Sequence, residues 1–195
     1  MLHMPRIFTS LIFCALFFGC AVLVAADPVT GPIIGSFNTT FTQDCLNPPA
    51  CTTIRVVVNG TGNATLLGNS TVFIDQVIDQ ITGMGTSSAI YTAFNGDQLF
   101  APNGNFITTG FDMMTGLISF TGMYPFEGGT GMFAQAGGAA AFTGTAFAFG
   151  PQAGTGQFSI NGTVTAVPEP ATMMLLTTGL AGIGAALRRR RGIKR

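Results

Sequence analysis

The sequence predicts an all-β protein, an antiparallel β-barrel or a closely related sandwich, from three observations. Between Asp27 and Val167 the chain falls into short runs rich in β-branched and aromatic residues: 36–42, 53–59, 86–94, 115–122 and 139–150. Gly, Asn and Pro separate these runs, as turn residues separate strands. Four Asn-Gly pairs occur, at 59–60, 95–96, 103–104 and 161–162. Gly, and to a degree Asn, takes the positive φ of tight hairpin turns, so the pairs predict antiparallel strands joined by hairpins. Phe, Val, Ile and Leu recur throughout and suffice for a core.

The segment 72–81 carries two periodicities. Its apolar residues Phe73, Ile74, Val77, Ile78 and Ile81 follow a helical spacing, while Phe73, Val77 and Ile81 also alternate with Asp75 and Asp79. The β-branched content and the neighbouring strands decide for a strand. No long helix is expected before Pro168.

The ends of the chain read differently. Residues 1–26 open with Arg6, continue through an apolar stretch at 11–24 and finish on Val24-Ala25-Ala26 before Asp27-Pro28. Small side chains at −3 and −1 mark a signal peptide cut by signal peptidase between Ala26 and Asp27. The alternatives are an uncleaved helical anchor and a lipoprotein signal ending at Cys20. The latter would have Phe17 and Phe18 where small or aliphatic residues are expected. Residues 27–166 form the expected secreted β domain.

Residues 167–195 begin Val167-Pro168-Glu169-Pro170, continue through 17 uncharged residues at 171–187, and reach Arg188-Arg189-Arg190-Arg191. A helix over 171–187 would be about 25 Å long, near the short end of a membrane span. Pro suits its first turn. The arginines fit a stop-transfer signal held in the cytoplasm. Gly179, Ala181, Gly182, Gly184, Ala185 and Ala186 let a second helix approach closely, so the segment reads as a transient anchor that docks against a membrane enzyme.

Val-Pro-Glu-Pro, an apolar helix and a terminal arginine cluster together resemble the PEP-CTERM sorting signal of Gram-negative bacteria. The resemblance implies recognition by an exosortase, a membrane-embedded cysteine transpeptidase, with Pro168, Glu169 and Pro170 as the motif residues. It implies an inner-membrane intermediate followed by the cell surface or extracellular matrix, in association with exopolysaccharide and biofilm. The middle of the chain resembles bacterial domains related to the allene oxide cyclase and dirigent β-barrels. Two stretches carry that resemblance: Thr92-Ala93-Phe94-Asn95-Gly96-Asp97-Gln98-Leu99, and the Gly-Gly-Thr-Gly-x-Phe pattern running from Gly128 to Gly138, with Met132 where Arg is usual and Gln135 where Gly is usual. It bears on fold and transfers no catalytic set.

Charge and composition exclude several classes. Six of the eight Lys and Arg residues lie in the last eight positions, and Arg55 is the one base between Asp27 and Val167, against seven acids there. An acidic middle of this kind cannot replace the counterions of nucleic acid. The lone histidine, His3, falls in the signal, so an imidazole-based triad and a His-built zinc site are not expected in the mature domain. No metal or cofactor is expected. Asp75 with Asp79, and Asp97 and Asp112, are the carboxylates available for acid–base work or calcium, with solvated surface acids as the preferred reading. Cys45 and Cys51, six positions apart, predict a disulfide in an exported chain, with a reactive thiol or metal pair as the alternative. Cys14 and Cys20 belong to the signal. Sequons at Asn38, Asn59, Asn63, Asn69 and Asn161 read as an Asn/Thr-rich β-surface.

Two functions fit. The first is a non-catalytic surface or matrix protein. The second is a small-ligand-binding or cyclase-like barrel whose Phe residues line a cavity. The barrel interior discriminates between them.

Overall fold

Alternation of polar and apolar residues along eight consecutive segments curls this chain into a closed sheet. The strands of the computed structural model are β1 (Val29–Cys45), β2 (Thr53–Ala64), β3 (Gly68–Asp79), β4 (Met84–Thr92), β5 (Gln98–Asp112), β6 (Leu117–Glu127), β7 (Gly137–Ala148) and β8 (Ala153–Ala166). Each pairs antiparallel with its neighbour in sequence, and β1 pairs with β8 to close the barrel. The structure describes residues 28–148, 152–166 and 179. Several expected features lie outside the described residues: the signal segment 1–26 and its cut at Ala26 and Asp27, the motif Val167 to Pro170, the rest of the helix 171–187, and Arg188, Arg189, Arg190 and Arg191. Among the described residues no helix is long and apolar enough to cross a membrane.

The expected barrel is present, and each of the five predicted runs overlaps a strand: β1, β2, β4, β6 and β7. Residues 72–81 resolve into β3 and the start of the turn after it. Val72, Ile74, Gln76 and Ile78 point inward and are buried, while Phe73, Asp75, Val77 and Asp79 point outward. The helical spacing is thus accidental, produced by β-branched residues on both faces of one strand.

The Asn-Gly pairs are a correction. Asn95-Gly96 alone forms a turn, between β4 and β5, with Gly96 at φ +91°. Asn59-Gly60, Asn103-Gly104 and Asn161-Gly162 lie inside β2, β5 and β8. There the asparagine faces out and the glycine faces the crowded interior, where a Cβ does not fit. Two other turns share a sequence that the Asn-Gly signal misses: Asp79-Gln80-Ile81-Thr82-Gly83 and Asp112-Met113-Met114-Thr115-Gly116. In both, the glycine N–H donates to the aspartate carbonyl at 2.8 Å. The aspartate carboxylate accepts the N–H two residues on, at 2.8 Å from Ile81 and 2.9 Å from Met114. Gly83 and Gly116 take the positive φ, +69° and +72°.

Aromatic side chains fill the interior. Phe37 stacks on Phe158 at 5.1 Å, Phe158 meets Phe142 at 6.4 Å, and Phe142 stacks on Tyr124 at 4.5 Å. Tyr124 meets Tyr91 at 6.1 Å, and Tyr91 returns to Phe37 at 5.6 Å, closing a ring of five rings. These rings need room on the adjoining strands, and glycine provides it. Gly122 lies directly across from Phe142 and Gly154 across from Phe41, and a Cβ on either would collide with the phenyl ring.

One end of the barrel holds the start of β1 and the finish of β8, where Val29 pairs with Ala166. The connection between β6 and β7 folds over this same end through a short 3-10 turn, Gly131–Phe133, and inserts the fully buried Phe133. The opposite end carries the Cys45–Cys51 disulfide, as predicted, joining the finish of β1 to the loop before β2. Replacing both cysteines with Ala is expected to lower unfolding stability by about 2 kcal/mol, the loop-closure entropy of so short a ring. Chemical denaturation of the exported protein measures it.

Candidate functional site

Asp75, Asp79, Asp97, Asp112 and Glu127 each have a structural partner. Arg55 donates twice to Asp75, at 2.9 Å and 2.6 Å. The guanidinium holds the Asp75 carboxyl below its ordinary pKa. The N–H groups of Thr82 and Ile81 lower Asp79, and the Thr115 hydroxyl and Met114 N–H lower Asp112. Asp97 accepts from Asn95 Nδ2 at 2.9 Å and from the Met132 N–H at 3.1 Å. Glu127 accepts from Asn103 Nδ2 at 3.1 Å. Asp75 and Asp79 share the outer face of β3 but are engaged separately, and Asp97 and Asp112 stand at opposite ends of β5. The structure does not bring the candidate carboxylates together. Among the described residues no group of three or more His, Cys, Asp or Glu side chains could hold a metal ion.

The stretches 92–99 and 128–138 meet one another. Thr130 and Gln98 exchange hydrogen bonds: the Thr130 N–H donates to the Gln98 carbonyl at 2.8 Å, and Thr130 Oγ1 accepts from the Gln98 N–H at 2.9 Å. Gly131 packs against the Asp97 carboxylate with no room for a side chain, and its φ is +55°. These contacts seat the plug that carries Phe133. Their role is to close one end of the barrel.

Inside, four side-chain polar atoms among the described residues are buried without a hydrogen-bond partner: the hydroxyls of Ser70, Ser87, Tyr91 and Tyr124. Burial raises Tyr91 well above its ordinary pKa, and raises Tyr124 to about 12. Ser87 and Gln76 lie near enough to pull Tyr124 part of the way back, although neither completes a hydrogen bond to its hydroxyl. The Tyr124 ring lies over Gly104, where a Cβ would come within 2.5 Å of it.

Outside, the barrel presents a continuous polar face that motif reading did not localise. Strand register places Gln157, Asn38, Thr61, Thr71 and Thr92 in one transverse row across β8, β1, β2, β3 and β4. The next row runs Phe147, Thr155, Thr40, Asn59 and Phe73 across β7, β8, β1, β2 and β3. Three adjoining depressions mark this face, all touching Asn38, the largest about 1080 Å³. All five sequon asparagines are exposed on the barrel exterior. On a strand, residues i and i+2 share a face, so Asn-x-Thr here is a by-product of outward polar alternation. The sequence signal for the face was this repeat of Asn and Thr at every second position.

No curated protein and no solved structure matches the chain. A family model does match at its C-terminal end, directly behind β8. Residues 166–191 carry the PEP-CTERM protein-sorting motif, which implies an exported protein processed at the membrane by an exosortase.

Proposed function

We propose that the protein is a non-catalytic component of the cell surface or extracellular matrix of a Gram-negative bacterium, sorted by an exosortase and associated with exopolysaccharide. The observation that carries this reading is the position of the sorting motif: its match opens at residue 166, and Ala166 is also the last residue of the last strand. The barrel is therefore the cargo. In this reading signal peptidase cuts between Ala26 and Asp27, and the segment 171–187 anchors the chain in the inner membrane. Arg188 to Arg191 stay in the cytoplasm while Val167-Pro168-Glu169-Pro170 is presented outside. The partnered acids and the filled interior support a structural role.

The test is mass spectrometry of the protein from cells with and without the exosortase. Exosortase-positive cells are expected to yield surface protein that lacks Arg188 to Arg191, and exosortase-negative cells to retain the intact tail in the inner membrane. Surface protein intact through Arg195 in both strains would leave a plain tail anchor as the better account. The unpartnered hydroxyls of Tyr91 and Tyr124 favour a second reading, a small-ligand barrel. A small molecule retained by the exported protein in native mass spectrometry would support it.

A further inference from the structure

We infer that the outer face of β8, β1, β2 and β3 is a glycan-binding surface, and that its ligand is an uncharged polysaccharide chain lying across the strands. The inference rests on the matrix reading above and gives it a site. Neighbouring strands lie about 4.8 Å apart, so the row Gln157, Asn38, Thr61, Thr71 offers an amide or hydroxyl at close to the spacing of successive pyranose rings. Each of these groups both donates and accepts, as sugar hydroxyls do. The adjacent row ends in Phe147 and Phe73, which are 41% and 42% exposed. Each half-exposed ring, one at the β7 end of the row and the other at the β3 end four strands away, offers an apolar face to the C–H surface of a sugar on a chain that follows the row around the barrel.

The charge pattern selects the ligand. Among the described residues, none that lines the three depressions is Asp, Glu, Lys or Arg. A polyanionic glycan needs bases, and the one base of the barrel, Arg55, is held by Asp75. The acidic barrel would also repel such a polymer. An extended peptide has nowhere to add as a strand, because the sheet is closed and has no free edge. A protein partner would call for an apolar centre, whereas the centre of this face is Asn38, Thr40 and Asn59. The backbone beneath is paired on both sides of every strand, so binding orders little that is not already ordered.

Affinity electrophoresis tests the inference, using protein purified from the exporting cells against dextran, hydroxyethylcellulose, alginate and the crude exopolysaccharide of those cells. The unaltered protein is expected to be retarded by at least one uncharged polymer and not by alginate. The double variant Phe73→Ala/Phe147→Ala should raise the apparent Kd at least tenfold while remaining folded at the assay temperature, with a Tm lowered by only about 5 °C. Met123→Ala, exposed on β6 away from the face, should bind as the unaltered protein does. Equal retardation of the double variant, retardation by alginate alone, or no retardation by any of the four polymers would each overturn the inference. Fractionation of the same cells separates this outcome from failure of the matrix reading. A double variant that still enters the matrix removes the face and leaves that reading standing. Glucan binding by a protein that never reaches the matrix does the reverse.

Discussion

Phe37→Ala is expected to lower the unfolding free energy by about 3–5 kcal/mol and the Tm by on the order of 10 °C. Phe37 is 1% exposed, stacks on Phe158 at 5.1 Å and meets Tyr91 at 5.6 Å, so truncation opens the closed circuit of rings at the centre of the barrel. The loss should fall toward the upper part of the range because the site cannot collapse. Gly62 lies across from Phe37 on β2 with no side chain to lean in, and the barrel wall is pinned by hydrogen bonds on both sides. Phe73→Ala makes the contrast, since that ring is 42% exposed, and its cost should stay under about 1 kcal/mol. Equal losses in the two variants would show that the aromatic circuit does not hold the barrel together.

Alkali should unfold the protein between pH 10 and pH 12, through its tyrosines. The chain contains two, Tyr91 and Tyr124, and both are buried in the barrel. Burial raises Tyr91 and brings Tyr124 to about 12, against an ordinary value near 10 in the unfolded chain. Above pH 10 the unfolded chain therefore loses phenolic protons that the folded chain keeps, and stability falls as pH rises. This stabilisation is complete below pH 10 and is lost as pH climbs through the folded value. For Tyr124 alone the loss is about 3 kcal/mol at 1.36 kcal/mol per pKa unit. The acid limb has the opposite sign. Asp75, Asp79 and Asp112 are all lowered, so their contribution is present above about pH 4 and fades as pH falls through their folded values. Denaturation midpoints across pH measure both limbs. Phenolate absorbance, which reports these two residues and no others, should rise together with unfolding. A Tyr91→Phe/Tyr124→Phe protein should lose most of the alkaline limb. An unchanged limb would assign alkaline unfolding to other groups.

The fold was legible wherever one signal had one structural meaning. Runs of β-branched and aromatic residues became strands, Cys45 and Cys51 became a disulfide, and the tail from Val167 to Arg191 matched a sorting motif. The Asn-Gly pairs failed because glycine answers two demands. At Gly96 it supplies positive φ, whereas at Gly104 and Gly162 it supplies space beneath Tyr124 and against Ala140. Local sequence does not say which demand applies, since the crowding residue belongs to another strand. Asp79 and Asp112 posed the same problem. As isolated carboxylates they read as solvated surface acids, with acid–base work or calcium as the lesser possibility, and their shared Asp-x-x-Thr-Gly context shows that they stabilise turns. The polar outer face was only half legible. Its Asn-x-Thr alternation is local, but its rows exist only across strands, and register is a property of the closed sheet.

The pairing of the first strand with the last also imposes an order of events on export. Val29 and Ala166 are partners, and the Thr30 and Thr165 hydroxyls lie 2.9 Å apart although 135 positions separate them in sequence. Such long-range closure comes late in folding, and here it cannot be completed before β8 is free to pair with β1. Until then β1 and β7 each present a bare strand edge, the kind of surface that templates aggregation between neighbouring chains. A cut behind Ala166 made before closure would set free a sticky, open sheet. The same cut made afterwards would release a sealed barrel with no edge to offer.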